Sequence, residues 1–240
     1  MLEIKKLKIN IWEKEILKWV DFAFNLGKNY AILGKNGSGK SSLSLSIMWN
    51  PKYNIVWWDI LLDGKSIKDL TPDQRSQKWI FLAFQNIPEI PWVKVFDFLK
   101  AIYNASLPKW EKQITFLKFK SFIQPFLDEL DIPKEFLFRD LNVWFSWWEK
   151  RKLEFLQLKL LNPKYIILDE IDSWLDINAI QEIWNIIKSL TGKDKSFIII
   201  SHYFKLFDFV NIDEATILEN GQIKDRGGKT LIDKIKNQWF

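Results

Sequence analysis

The chain has 240 residues, with 35 basic against 30 acidic side chains, one His, no Cys and a net charge of +5. The lack of cysteine excludes disulfides, thiolate metal centres, thiolate-held iron–sulfur clusters and a Cys nucleophile, and a single His excludes a His-rich metal site. With 48% apolar residues the chain can build a sizeable core, and its intermixed charges read as a solvated surface rather than a nucleic-acid-binding face. No stretch approaches the ~18 uncharged apolar residues of a membrane helix, and the start at Met1–Lys5 lacks a signal-peptide apolar region. A cytoplasmic protein with no direct membrane insertion is expected. One imbalance stands out. There are 9 Gly beside 14 Trp, whereas average usage gives about 17 Gly for this length.

Alternation of Leu7, Ile9 and Ile11 across residues 2–11, then Trp19–Phe24, predicts an antiparallel strand layer at the start. Tyr30–Leu33 is a short buried strand that runs into a glycine-rich loop, and Lys40–Met48 a helix. Ile60–Leu62 reads as a strand closed by an Asp63-Gly64 turn, Trp57-Trp58 as a turn before that strand, and Thr71-Pro72 as a helix start. Ile80–Phe84 is again a strand. From about Val95 to Leu161 the pattern is helical, divided by Pro108, Pro125 and Pro133. Tyr165–Leu168 and Phe197–Ile200 are continuous apolar runs that fit strands covered on both faces of a parallel sheet. Asp176–Leu190 between them is helical, and Asn220-Gly221 turns a hairpin. The expected fold class is α/β: a P-loop core with an N-terminal antiparallel β layer over residues 1–93 and 162–240, and a helical subdomain inserted at 94–161.

Gly34-Lys35-Asn36-Gly37-Ser38-Gly39-Lys40-Ser41 has the spacing G-x-x-x-x-G-K-[ST] between a strand and a helix. Glycines there let successive N–H groups and the helix start face a phosphate, Lys40 reaches the β- and γ-phosphates of ATP, and the Ser41 hydroxyl, followed by Ser42, suits Mg²⁺. Tyr165–Glu170 is an apolar strand ending in two carboxylates, Asp169 placed for Mg²⁺ and Glu170 for polarising an attacking water. Gln85, after the strand Phe81–Phe84, can contact the metal and the water. His202 follows another strand at its C-terminal end, where α/β sheets hold ligands, and is a candidate γ-phosphate sensor.

The P-loop, Gln85, Leu141-Asn142-Val143-Trp144-Phe145-Ser146, the strand ending in Asp169-Glu170, Ser173-Trp174-Leu175-Asp176 and His202, in this order, resemble the nucleotide-binding domain of ABC ATPases over the whole chain. The resemblance implies a transient head-to-tail dimer in which the signature loop Phe145–Glu149 of one copy, through Ser146 and residues 147 and 148, caps ATP held by the other. Met48–Tyr53, Phe81–Gln85 with Pro88–Pro91, Tyr103-Asn104-Ala105, Phe138–Val143 and His202-Tyr203 are similar to the SufC family, soluble ATPase subunits of the SUF iron–sulfur assembly machinery. That similarity implies SufB- and SufD-like scaffold partners, and it places the cluster ligands on those partners. The alternatives are an ATPase subunit of a membrane permease and a non-catalytic ABC-like interaction module.

Trp147 and Trp148 occupy the Gly-Gly positions of the signature, Trp174 the glycine of the following loop, and Trp49 the residue after the P-loop helix where glycine is favoured. Trp19, Trp92 and Trp144 also coincide with SufC glycines, and Trp12 sits near the first hairpin, where the family stacks adenine. Trp184 suits a helix face. The substitution pattern implies glycine at these positions in the natural protein, encoded by UGA codons that this sequence renders as tryptophan.

Overall fold

The computed structural model describes residues 1–50, 54–171, 177–201 and 210–238, without the side chains of 54–58, 177–179 and 235–238. Two compact units partition the chain, one formed by Met1–Gln85 and Pro163–Phe240, the other by Asn86–Asn162.

In the first unit, β1 (Leu2–Ile11), β2 (Lys14–Phe24), β4 (Asn54–Leu62) and β5 (Lys65–Ser66) form an antiparallel sheet in the order β2-β1-β4-β5. Leu2, Ile4, Leu7 and Ile9 of β1 bury one face of it, as the alternation predicts, and join Leu43 and Ile47 in a common core. The expected turn at Trp57-Trp58 does not form. Both residues lie inside β4, where Trp57 pairs with Lys8 beside a register shift, because pairing with β1 extends this strand back to Asn54.

A second sheet runs β12-β11-β3-β10-β9-β6, built from β3 (Asn29–Leu33), β6 (Ile80–Ala83), β9 (Tyr165–Asp169), β10 (Ser196–Ile200), β11 (Glu214–Glu219) and β12 (Gln222–Gly227). All its pairings are parallel except the β11–β12 hairpin. β3, β9 and β10 are buried throughout their central residues, which explains their unbroken apolar runs. α1 (Lys40–Ile47) leaves β3 through the glycine loop, α2 (Pro72–Gln77) starts on Thr71 with a capping box, and α6 spans Ile177–Leu190. α7 (Lys229–Gln238), absent from the sequence reading, packs on β11 and β12.

The fully buried Arg75 of α2 is a structural residue that periodicity does not reveal. Its guanidinium donates to Ile47 O at 2.6 Å, Lys68 O at 3.0 Å and, through Nε, Leu70 O at 3.0 Å, so it closes the carbonyl end of α1. Burial pulls its pKa down to about 10. Arg75→Ala leaves these buried carbonyls unpaired and should destabilise the protein by about 3 kcal/mol, which a urea-denaturation midpoint measures.

The second unit holds β7 (Ile90–Lys94) paired with β8 (Asp140–Leu141), α3 (Val95–Ser106), α4 (Phe116–Glu129), a 3-10 turn at Lys134–Phe138 and α5 (Trp147–Leu161). Pro125 lies inside α4 instead of ending it. A proline removes one helix hydrogen bond, but Phe119, Ile123 and Leu127, spaced four apart, are all buried and hold the helix through it. Aromatic contacts knit α3 to α4, with Phe96 and Phe119 at 5.4 Å and Tyr103 and Phe122 at 4.9 Å between ring centroids.

Among the described residues six tryptophans have left-handed backbone: Trp12 (φ 55°), Trp19 (58°), Trp49 (53°), Trp79 (71°), Trp92 (67°) and Trp144 (59°). This region costs a side-chain-bearing residue about 1–2 kcal/mol. Six instances amount to about 6–12 kcal/mol, as much as the whole stability of an ordinary domain. Trp147 and Trp148 differ, since they form the first turn of α5 with ordinary helical backbone.

Candidate nucleotide site

The P-loop joins β3 to α1, and its backbone explains its glycines. Gly37 is left-handed at φ 80° with open space where a Cβ would stand, and Gly39, at φ 106°, would place a Cβ against Leu17 Cδ2 at 2.5 Å. Gly39 is also the N-cap of α1, and having no side chain it leaves the first N–H groups of the helix without a side-chain cap. They are therefore available to an anion, and no acidic residue stands in the first turn to compete. Ser38 Oγ is buried and has no hydrogen-bond partner among the described residues.

Lys40 is 3% exposed, and its Nζ donates to Gly34 O at 2.8 Å and Lys35 O at 3.2 Å, curling the side chain back over the loop. Burial pushes its pKa down, against the opposing charges of Glu170 and Asp169. Ser41 Oγ donates to Asp169 Oδ1 at 3.1 Å, and Ser44 Oγ to Oδ2 at 2.7 Å. Burial raises the pKa of the Asp169 carboxyl, while these two hydroxyls support its ionised form. Ser44 escaped the sequence reading, although its position three residues after Ser41 puts both on one helix face.

Glu170 follows β9 in a left-handed conformation, φ 48°, held by its N–H donating to Ile200 O at 2.9 Å. Backbone strain of about 1–3 kcal/mol is found where the surroundings fix a residue for function. Gln85 Nε2 donates to Glu170 Oε2 at 2.6 Å, and Lys40 Nζ is 3.7 Å from Glu170 Oε1. Lys40, Ser41, Gln85, Asp169 and Glu170, brought from the ends of β6 and β9 and the first turn of α1, thus stand together. Among the described residues no group of three or more His, Cys, Asp or Glu forms a metal cage. The oxygen donors of Ser41, Asp169 and Gln85 nevertheless suit Mg²⁺, which takes few protein ligands and fills its octahedron with substrate phosphates and water.

The signature loop lies in the second unit. Ser146 caps α5, accepting from the Glu149 N–H at 3.2 Å, while Glu149 Oε2 accepts from the Ser146 N–H at 2.6 Å. The indoles of Trp147 and Trp148 lie beside Arg151 and Lys152, at 4.8 and 5.7 Å, and the buried Trp147 N–H has no partner among the described residues. His202, Ser173, Trp174, Leu175 and Asp176 lie outside the described residues.

The sequence pattern of the ABC transporter family matches residues 17–173. A probable ATP-dependent transporter ycf16 from Antithamnion sp. is 40% identical over all of this chain and 96% of its own length. A probable ABC transporter ATP-binding protein from Streptococcus pyogenes serotype M3 is 38% identical over all of this chain and 93% of its own. Among solved structures, the dimeric bacterial ABC transporter cassette MJ0796 superposes with a TM-score of 0.79 at 17% identity, covering 95% of this chain and 98% of its own. The same cassette has been solved in a post-hydrolysis state with ADP and phosphate, also at a TM-score of 0.79. The fold is the ABC nucleotide-binding cassette, and the chain belongs to the ABC transporter family as an ATP-binding ABC ATPase subunit.

Proposed function

We propose that the chain hydrolyses ATP with Mg²⁺ at composite sites of a transient head-to-tail dimer and powers iron–sulfur cluster assembly on a SufB/SufD-type scaffold in the cytoplasm. The observation that carries the hydrolytic part is the cluster of Glu170, Gln85 and Lys40 at the end of β9. In this reading Lys40 leaves Gly34 O and Lys35 O for the β- and γ-phosphate oxygens, and the P-loop N–H groups from Gly34 to Ser42 hold the β-phosphate. Ser41 and Asp169, with Gln85, hold Mg²⁺, whose charge offsets that of the phosphates. Gln85 fixes the Glu170 carboxylate, which accepts a proton from water as its oxygen bonds to the γ-phosphorus and the bond to ADP breaks. His202 contacts the γ-phosphate, and Ser146 with the N–H groups of residues 147 and 148 reaches it from the second copy.

The scaffold reading is supported by the resemblance of residues 81–105 and 138–143 to the SufC family. The transporter reading is supported by the names of the relatives, ycf16 being called an ATP-dependent transporter. Neither reading requires a membrane span here, and no helix among the described residues is long and apolar enough to be one. Affinity purification from the native cell distinguishes them. Recovery with a SufB/SufD-like pair supports the scaffold role, and recovery with a membrane permease overturns it.

A further inference from the structure

The left-handed tryptophans occur where local geometry asks for glycine. Trp12 is the first residue of the two-residue turn between Ile11 and Lys14, and Glu13 after it is not left-handed; that combination favours glycine at the first position. Trp49 follows α1 in a closed C-terminal motif. Its N–H donates to Ser46 O at 3.0 Å and the Asn50 N–H to Leu45 O at 3.0 Å, the pair of bonds that selects a left-handed glycine between them. Trp79 ends α2 similarly, donating to Ser76 O at 3.0 Å, while its carbonyl accepts from Lys164 and Tyr165. Trp19 lies in a β-bulge, where Lys18 and Trp19 oppose Lys8 between the pairs Leu7–Val20 and Ile9–Leu17. Trp92 lies at the register shift of β7, and Trp144 in the loop before α5.

The indoles of Trp19, Trp49 and Trp79 lie beside Lys8, Arg75 and Lys164 at 5.3, 5.2 and 5.6 Å, contacts worth about 0.5–1 kcal/mol each at exposed sites, less than the left-handed backbone costs. Trp12, Trp92 and Trp144 are 93%, 92% and 89% exposed, and Trp19 and Trp79 are about half exposed. The remaining non-glycine residues with positive φ are mostly Asn and Asp, which tolerate this region, whereas a bulky aromatic is an outlier in it. Trp184 is the contrast, a helical residue 2% exposed in the core.

We infer that the natural protein carries glycine at positions 12, 19, 49, 79, 92 and 144, its UGA codons being decoded as glycine. This assignment comes from backbone geometry. It does not depend on the activity, and it reaches Trp79, which the family motifs did not single out. The test is peptide sequencing by mass spectrometry of the protein isolated from its own cells, beside the codons of its gene. Glycine at all six positions, each at a UGA codon, is expected; tryptophan, or a UGG codon, at any of the six overturns the assignment. Recombinant chains give a second readout. The chain with six glycines should melt about 20 °C above the chain as written, and Trp184→Gly below it. A six-glycine chain that melts no higher contradicts the assignment.

Discussion

Changing both Trp147 and Trp148 to Gly should raise steady-state ATP turnover by about 10²–10³-fold while leaving nucleotide affinity of the isolated chain unchanged. The two residues supply the first N–H groups of α5, which have no acceptor within the helix. The Ser146–Glu149 capping box engages only the N–H groups of those two residues, so the intervening ones stay available for the γ-phosphate of a second copy. In the proposed dimer an indole on each of those intervening residues would obstruct such an approach, and the buried Trp147 N–H has no partner among the described residues. Nucleotide binding to the chain's own P-loop needs neither residue. Equal turnover of the two forms would show that this turn does not complete the site.

The second large effect is at Glu170. In a chain with Gly at 147 and 148, Glu170→Gln should lower turnover by about 10²–10⁴-fold and accumulate an ATP-bound dimer, visible by size-exclusion chromatography. The substitution is nearly isosteric. Its amide oxygen can still accept from Gln85 Nε2, so the position is kept, but the side chain can no longer take a proton from water. A purely structural Glu170 would lose stability and leave turnover per folded molecule unchanged.

The P-loop was legible in the sequence because its chemistry is local. Four fixed positions between a strand and a helix specify the backbone path, and Lys40 and Ser41 open α1 directly after Gly39. Asp169 and Glu170 were legible because an unbroken apolar strand ending in two acids has few other uses downstream of such a loop. Long-range pairing was less legible. Trp57-Trp58 reads as a turn when isolated, but β1 recruits it into β4 across about fifty residues of chain. Pro125 reads as a helix end, but three buried apolar residues on one face outweigh it. Arg75 and Ser44 act through partners distant in sequence, so only the assembled fold reveals them. The tryptophan-for-glycine pattern was visible in composition, and the backbone then separates the six residues whose conformation demands glycine from Trp147 and Trp148, whose conformation does not.

The most direct test of the hydrolytic assignment is phosphate release from ATP by the Trp147→Gly/Trp148→Gly chain with and without Mg²⁺, beside its Glu170→Gln counterpart. Saturable, Mg²⁺-dependent release that the Glu170 substitution abolishes is the expected result. Undetectable release, or release at an equal rate in the Glu170→Gln chain, would contradict it.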